Sequence, residues 1–389
     1  MRIHDVDAVR GFALLGIFAV NVTFMASGYP GNLVHDPTFD SSLDDAVRTL
    51  SSVFVDMKFY VLFSFLFGYS FTLQMDAARR AGAEFRPRML RRIAGLFALG
   101  VLHIVVLYGG DILTTYAVAC LALLLLRNVT DRTALRIAVG LYVVVLLSLI
   151  SSGLFVDGST FLPGESEALA NGADATRALL GDWGPNIGEH LAGLPLLLLQ
   201  SATLQGPTAL GMFLLGMVAG RRRWLAPETN SHPVLRRIQL VGFPVGIAGG
   251  VLYALGGNGA PLCVAASVAT APLLAAAYVA TLLRARPVVR RVLAPAGRMA
   301  LTNYLAQSAV GLIVFTGIGF GFAGRFSPLA LMVFALAVFT AQLAVSALWL
   351  RRFRYGPVEW GLRWLTNGTR PAFVAAGEMS VPERQSDRR

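Results

Sequence analysis

Cysteine is nearly absent from this chain, with Cys120 and Cys263 the only two in 389 residues, each inside an apolar stretch. No disulfide framework and no cysteine-based metal site can be assembled from them. Charge is also scarce, at 14% of residues, which is too little for the solvated surface of a soluble domain. There is no Walker motif, no dinucleotide-binding glycine fingerprint and no haem or zinc spacing. Without a P-loop, an intrinsic ATPase motor of that type is excluded, and no metal is expected.

What the chain has in abundance is apolar length. Hydrophobic residues make up 55% and the mean hydropathy is +0.62. A hydrocarbon core needs about 20 apolar residues per helix, and ten stretches of roughly that kind recur: Val9–Gly28, Ser51–Met75, Ile93–Gly110, Ile112–Leu126, Leu135–Phe155, Leu191–Gly220, Gln239–Gly256, Leu262–Leu283, Met299–Phe320 and Leu329–Leu350. The expected fold is an all-α polytopic transmembrane helix bundle. The fourth stretch is short, and the sixth is long and broken by Pro195 and Gln205-Gly206-Pro207. That sixth stretch reads either as one kinked span or as a span preceded by an interfacial helix.

Orientation follows from the basic residues. Of 33 Lys and Arg, all but Arg48, Lys58, Arg177 and Arg325 fall in alternate gaps or at the ends of the chain. Cytoplasmic loops retain Lys and Arg, so both termini are expected in the cytoplasm. The net charge of +11 is therefore topogenic. With no aromatic-interleaved basic face, nucleic acid is not expected as a partner, whereas the lipid bilayer is. No cleavable signal peptide stands out, although Ala26-Ser27-Gly28 faintly resembles a cleavage triplet. The loops Tyr29–Arg48 and Val156–His190 are polar and Gly/Pro-rich, and lie on the side opposite the arginines. Three regions are expected: an N-terminal membrane block over 1–220, a C-terminal membrane block over 221–366, and a disordered cytoplasmic tail over 367–389.

Any chemistry must then happen in or at the membrane, where ionisable side chains are costly unless paired or watered. At about 1.5 Å rise per residue, Asn21 and His103 lie near the midplane, and Asp56 and Lys58 lie about 8–12 Å below the outer boundary. Asp111 caps the outer end of the third span, with Tyr116 one turn further on, and His35 and Asp36 sit in the loop above. One reading is a water-filled cavity opening outward, with His35 or His103 as base and Asn21 or Lys58 binding an anionic or carbonyl group. The other is structural: Asp56 or Asp111 pairs with Lys58, while His103 bonds a nearby carbonyl. On the cytoplasmic side Arg86, Arg88, Arg91 and Arg92 crowd the mouth of the third span. Topogenic charge accounts for them, and so does a site for the phosphates of a nucleotide. Gly242, Gly246 and Gly250, at helical spacing, point to close helix packing.

Several motifs carry a resemblance. The opening Val6-Asp7-Ala8-Val9-Arg10-Gly11 with Asn21, then Phe63-Ser64-Phe65-Leu66-Phe67-Gly68, and then His103 with Gly109-Gly110-Asp111 and Tyr116 resemble YeiB-like bacterial membrane proteins. Gly297-Arg298-Met299-Ala300-Leu301-Thr302-Asn303-Tyr304 and Arg354-Tyr355-Gly356-Pro357-Val358-Glu359-Trp360 resemble the C-terminal domain of unknown function that defines them. The opening helix is also similar, more distantly, to transmembrane acyltransferases such as heparan-α-glucosaminide N-acetyltransferase. That likeness implies acyl-CoA bound from the cytoplasm, with Arg86, Arg88, Arg91 and Arg92 on its phosphates. It also implies an acceptor on the far side, either a small molecule or a glycan or lipid-linked group. In the lysosomal-type pattern an Asn in the first helix precedes a catalytic loop His. Asn21 matches the first, and His35 is the loop His at hand, a few residues further on. Bacterial sugar acyltransferases place a His inside the first helix, where this chain has none.

The resemblance implies an acyltransferase of the bacterial plasma membrane, with Asn21, His35 and His103 as catalytic candidates and Asp56, Lys58, Asp111 and Tyr116 as substrate-binding ones. A transporter or exporter of a small anionic or amphipathic molecule would also use buried charges and a broken span, and a scaffold without chemistry is the third reading. A homo-oligomer is compatible with all three.

Overall fold

In the computed structural model the chain is described over residues 4–156, 163–226, 232–257 and 259–374. The described elements are helical, apart from one isolated bridge between Phe353 and Val374. In chain order the first eight helices are α1 (His4–Ala26), α2 (Ser42–Phe54), α3 (Lys58–Arg80), α4 (Phe85–Val106), α5 (Leu113–Leu125), α6 (Asp131–Phe155), α7 (Glu165–Leu179) and α8 (Trp183–Ala192). The rest are α9 (Leu194–Gln200), α10 (Gly206–Arg221), α11 (His232–Gly256), α12 (Pro261–Arg284), α13 (Pro287–Arg298), α14 (Ala300–Phe315), α15 (Pro328–Arg352) and α16 (Pro357–Asn367).

Eight helical segments are long and apolar enough to cross a bilayer, so this is a multi-pass membrane protein. The remaining two expected stretches are helical but shorter, on α5 and α14. Thirteen residues of α5 reach only about 20 Å. The shortfall has a use. The irregular backbone ahead of α5, Leu107–Ile112, and Thr316 just past the end of α14 line a cavity, the setting in which non-helical backbone is tolerated at membrane depth. The sixth stretch is continuous but defective: α9 passes through a π-turn at Ser201–Gln205 into α10. The polar, Gly/Pro-rich loop Val156–His190 holds α7 and most of α8, and the loop Tyr29–Arg48 already holds the start of α2 at Ser42. α7 is too polar to span, and α8 opens the long apolar segment Trp183–Arg221 that continues through α9 and the π-turn into α10.

Interhelical packing relies on small residues, because lipid tails remove the hydrophobic drive for helix association. A Cβ at Gly68 of α3 would overlap the Phe213 backbone of α10, and one at Gly216 would overlap Phe65. Gly242 and Gly246 lie against Leu273 and Leu274 of α12, and Gly250 against Val53 of α2. Gly11 and Gly297 let α1 and α13 touch at backbone distance, with Gly297 against the Asp7 carbonyl. Arg10 fastens the same crossing, donating to Asp7 at 2.8 Å, to the Gly297 carbonyl at 3.2 Å and to Ser70 at 2.8 Å. The Asp7/Arg10/Gly11 motif thus has a packing role. The two sequence blocks interlock, since α1 packs on α13, α14 and α15, α2 on α11 and α3 on α12.

Buried amides tie α14 to α15. Gln307 donates to Gln342 at 2.9 Å, Gln342 donates to the Asn303 carbonyl at 3.0 Å, and Asn303 donates to Ser346 at 3.0 Å. From α16, Glu359 accepts the exposed N–H groups of Leu301 at 2.7 Å and Thr302 at 3.1 Å, capping α14 from outside its own chain segment. The residues after α16 fold back: Phe373 stacks on Phe353 at 4.7 Å, and Arg354 N–H bonds the Phe373 carbonyl. The rest of the expected tail, 375–389, lies outside the described residues.

Loops sort onto two ends as alternating spans require. On one end Arg221 binds Asp131 and Arg290 binds Asp5. On the other, Gly28 N–H bonds Thr176, Gly317 N–H bonds the Leu179 carbonyl and Gly324 N–H bonds the Ala26 carbonyl.

Candidate functional site

The second end holds an open-sided chamber of about 1620 Å³. Its walls come from the C-terminal half of α1, the loop after it, α2, the start of α3, the turn before α5, the α7–α8 pair, the π-turn and the α11–α12 turn. Asn21, His35, Asp56, Asp111 and Tyr116 all line it, so five sequence-chosen residues from four segments converge on one space. The other six candidates, His103, Lys58, Arg86, Arg88, Arg91 and Arg92, do not line it.

His35 stands on the rim, in the loop that α1 feeds through the short 3-10 turn Pro30–Asn32. Arg48 reaches the same loop, donating to the Phe39 carbonyl and pairing with Asp45 at 3.0 Å. Partial burial and then Arg48 hold the His35 imidazole below its ordinary value of 6.5, against a smaller opposing pull from Asp45. A neutral imidazole is the form that takes a proton.

His103 lies one layer behind the wall and is fully buried. Its Nδ1 lies 3.1 Å from Asp111 Oδ1, too far off-axis for a straight hydrogen bond. Its Nε2 is 2.8 Å from Ser308 Oγ, and the Tyr304 ring lies 5.0 Å away. Asp111 also accepts the Thr114 N–H at 2.7 Å, which caps α5. A carboxylate on the chamber wall is therefore joined through His103 to a serine of α14. Tyr116 is likewise part core and part wall. Its hydroxyl meets the Tyr60 carbonyl at 2.9 Å and Ser64 at 2.7 Å, while the Tyr60 hydroxyl faces Thr208 at 3.1 Å.

Lys58 has no exposed surface. Met57 adopts a left-handed conformation (φ 65°) between α2 and α3, which folds the next side chain back on α2. The Lys58 ammonium donates to the Ser52 carbonyl at 2.7 Å and approaches Ser267 and the Tyr253 ring. Asp56 instead accepts from the Ser52 hydroxyl at 3.1 Å. The direct Asp–Lys pair allowed by the sequence does not form, and Asp111 pairs with His103.

The arginines sit at the opposite end of α4. Arg86 and Arg91 are exposed, and Arg88 and Arg92 are part-buried. Arg92 has Arg363 and Arg10 as like-charged neighbours and Glu359 as the acid among them. Sequence reasoning missed Tyr304 and Ser308 as a pair one helical turn apart facing His103, although polar residues at that spacing in an apolar stretch were the available signal. It also missed the chamber side of α7–α8, including Asp174, Glu189 and His190, whose imidazole lies 3.3 Å from the Val105 carbonyl. No periodicity could reveal that a polar loop folds over the bundle.

Fold and chamber define a class: a multi-pass helical membrane protein with a polar site held at one end of its bundle. The chain belongs to the YeiB-like family of bacterial membrane proteins. Residues 219–369 match the family model described as "Protein of unknown function (DUF418)". The chain is 31% identical over 384 residues to "Uncharacterized protein YxaH" of Bacillus subtilis (strain 168), covering 92% of each. It is also 29% identical over 401 residues to "Uncharacterized protein YeiB" of Escherichia coli (strain K12), covering 92% of this chain and 95% of that protein. A third relative, a 39.9 kDa protein in the amylase 3' region of Bacillus acidopullulyticus, is 29% identical over 377 residues, with 94% of each covered.

Proposed function

We propose that the protein is a plasma-membrane acyltransferase that moves an acyl group from cytoplasmic acyl-CoA to a hydroxyl or amine held in the chamber. The observation that carries this reading is a division of polar groups along α4. Arg92 and His103 are eleven residues, or about 16 Å, apart on one helix. One end offers guanidinium groups to phosphates, and the other abuts a chamber lined by Asn21 and His35. With the basic end in the cytoplasm, donor and acceptor approach from opposite faces.

The chemistry needs no covalent intermediate. His35 takes the proton of the acceptor O–H or N–H as that atom attacks the thioester carbon. The Asn21 amide donates to the developing oxyanion. The C–S bond breaks, CoA leaves as thiolate, and the proton on His35 returns to the thiolate or to water.

A transporter is the second reading, favoured by the π-turn at Ser201–Gln205, whose Leu204 and Gln205 line the chamber. The two are separated by incubating reconstituted protein with radiolabelled acetyl-CoA and a panel of amine and hydroxyl acceptors. Acylated acceptor lost in His35→Ala supports the enzyme. No product, with acceptor flux across the vesicle wall, supports the transporter.

A further inference from the structure

The chamber is not sealed on its bilayer-facing side. Leu149 and Ser152 of α6 line it three to six residues before Phe155 ends that helix, about 5–9 Å inside the span. Beside them, Leu196 and Leu197 of α9 and Leu255 at the end of α11 also line it. Leu196 and Leu255 keep 48% and 80% of their surface uncovered. Among the described residues the close packing of α9 is on its chain neighbours, α8 and the π-turn. The α11–α12 turn opposite contains Gly257 and Gly259, and a Cβ at either would meet nothing within 4 Å. Exposed apolar side chains and open space therefore border the chamber on this side, near the end of α6.

The polar interior is unbalanced in charge. Its lining holds six carboxyl groups against the guanidinium of Arg48; Arg48 pairs with Asp45 and Arg177 with Asp174, so the excess rests on Asp36, Asp56, Asp111 and Glu189. Tyr304, nine-tenths buried, adds a hydroxyl with no side-chain partner. A phosphate-headed lipid would meet net repulsion here, whereas an amine or hydroxyl head would find acceptors.

We propose that the chamber takes its ligand sideways from the adjoining leaflet, as an amphiphile whose amine or hydroxyl head lies among these carboxyl groups. Its alkyl chain leaves between α9 and the α11–α12 turn. This names the acceptor class for the acyl transfer proposed above and rests on that reading for its chemistry. The binding mode itself does not. An apolar tail remaining in hydrocarbon loses no favourable environment on docking, so selectivity rests on the head.

The test is photolabelling of the full chain in phosphatidylcholine nanodiscs, using hexadecylamine with a mid-chain diazirine. The expected adducts concentrate at least fivefold on Leu194–Gln205 and the α11–α12 turn over the exposed faces of α6 and α15. The same chain with a phosphate head is expected to label no better than bulk lipid. Gly259→Trp, which fills open space, is expected to cut the labelling at least threefold while leaving the unfolding temperature unchanged. Adducts spread evenly over the lipid face, equal labelling by the phosphate analogue, or full labelling in Gly259→Trp would each overturn the proposal. Acetyl-CoA binding, measured in parallel, separates the two claims. Focused labelling without acetyl-CoA binding sinks only the acyl transfer. Binding of acetyl-CoA without focused labelling sinks only the sideways access.

Discussion

Asp111 and His103 meet at 3.1 Å with both side chains fully buried, one on the chamber wall and the other behind it. Half-removing such a pair leaves a buried polar atom without its neighbour. Asp111→Asn and His103→Gln should each destabilise the protein by about 1–3 kcal/mol. The double variant should fall short of additivity by about 1–3 kcal/mol. Unfolding of the four proteins in micelles measures this, and additivity within about 0.5 kcal/mol would mean that the two do not act as a unit.

His35 governs the expected pH dependence. Its proton affinity is depressed, so the neutral, proton-accepting form persists to a lower pH than for an ordinary imidazole. Acyl transfer should therefore be lost as pH falls, with an acid limb below 6.5, the ordinary histidine value. Arg48→Gln removes one of the depressing influences and should move that limb to higher pH. A rate profile unchanged in Arg48→Gln, or one with the same limb in His35→Ala, would assign the proton to another group.

Close helix crossings predict a contrast among glycines. Gly297→Ala puts a methyl into the Asp7 carbonyl and should cost about 1–3 kcal/mol or more. Gly140→Ala, on the exposed side of α6 with nothing within 4 Å, should be neutral or stabilising by up to about 1 kcal/mol. Thermal unfolding of both in the same detergent checks the difference in sign.

Glu359 caps a helix to which it does not belong. Glu359→Ala removes the acceptor for the Leu301 and Thr302 N–H groups and should cost about 1–2 kcal/mol. Glu359→Gln keeps one acceptor oxygen and should recover part of the loss. Equal destabilisation by both would point to the charge rather than the cap.

The spans were legible because bilayer thickness imposes a length, and the candidate wall residues because polar groups are conspicuous in apolar runs. Asn21, Asp56 and Asp111 needed no more than that. Their partners were hidden for a geometric reason. Ser308 is distant in sequence from His103, and only the tertiary fold brings their side chains to 2.8 Å. Lys58 was misleading in a different way. Its neighbour Asp56 suggested a pair, but the left-handed Met57 turns the ammonium onto a backbone carbonyl. The Asp7/Arg10/Gly11 motif gave a family likeness, while its work at the α1–α13 crossing became visible only with Gly297 beside it.

The central claim, that donor and acceptor meet across α4, is tested most directly by acetyl-CoA binding to the protein reconstituted in nanodiscs. Thermal stabilisation is compared with free CoA, desphospho-CoA and ATP. Stabilisation by CoA species is expected, weaker for desphospho-CoA and lost in Arg88→Ala or Arg92→Ala, with His35→Ala binding normally. No stabilisation at millimolar acetyl-CoA, or binding indifferent to both arginines, would contradict the claim.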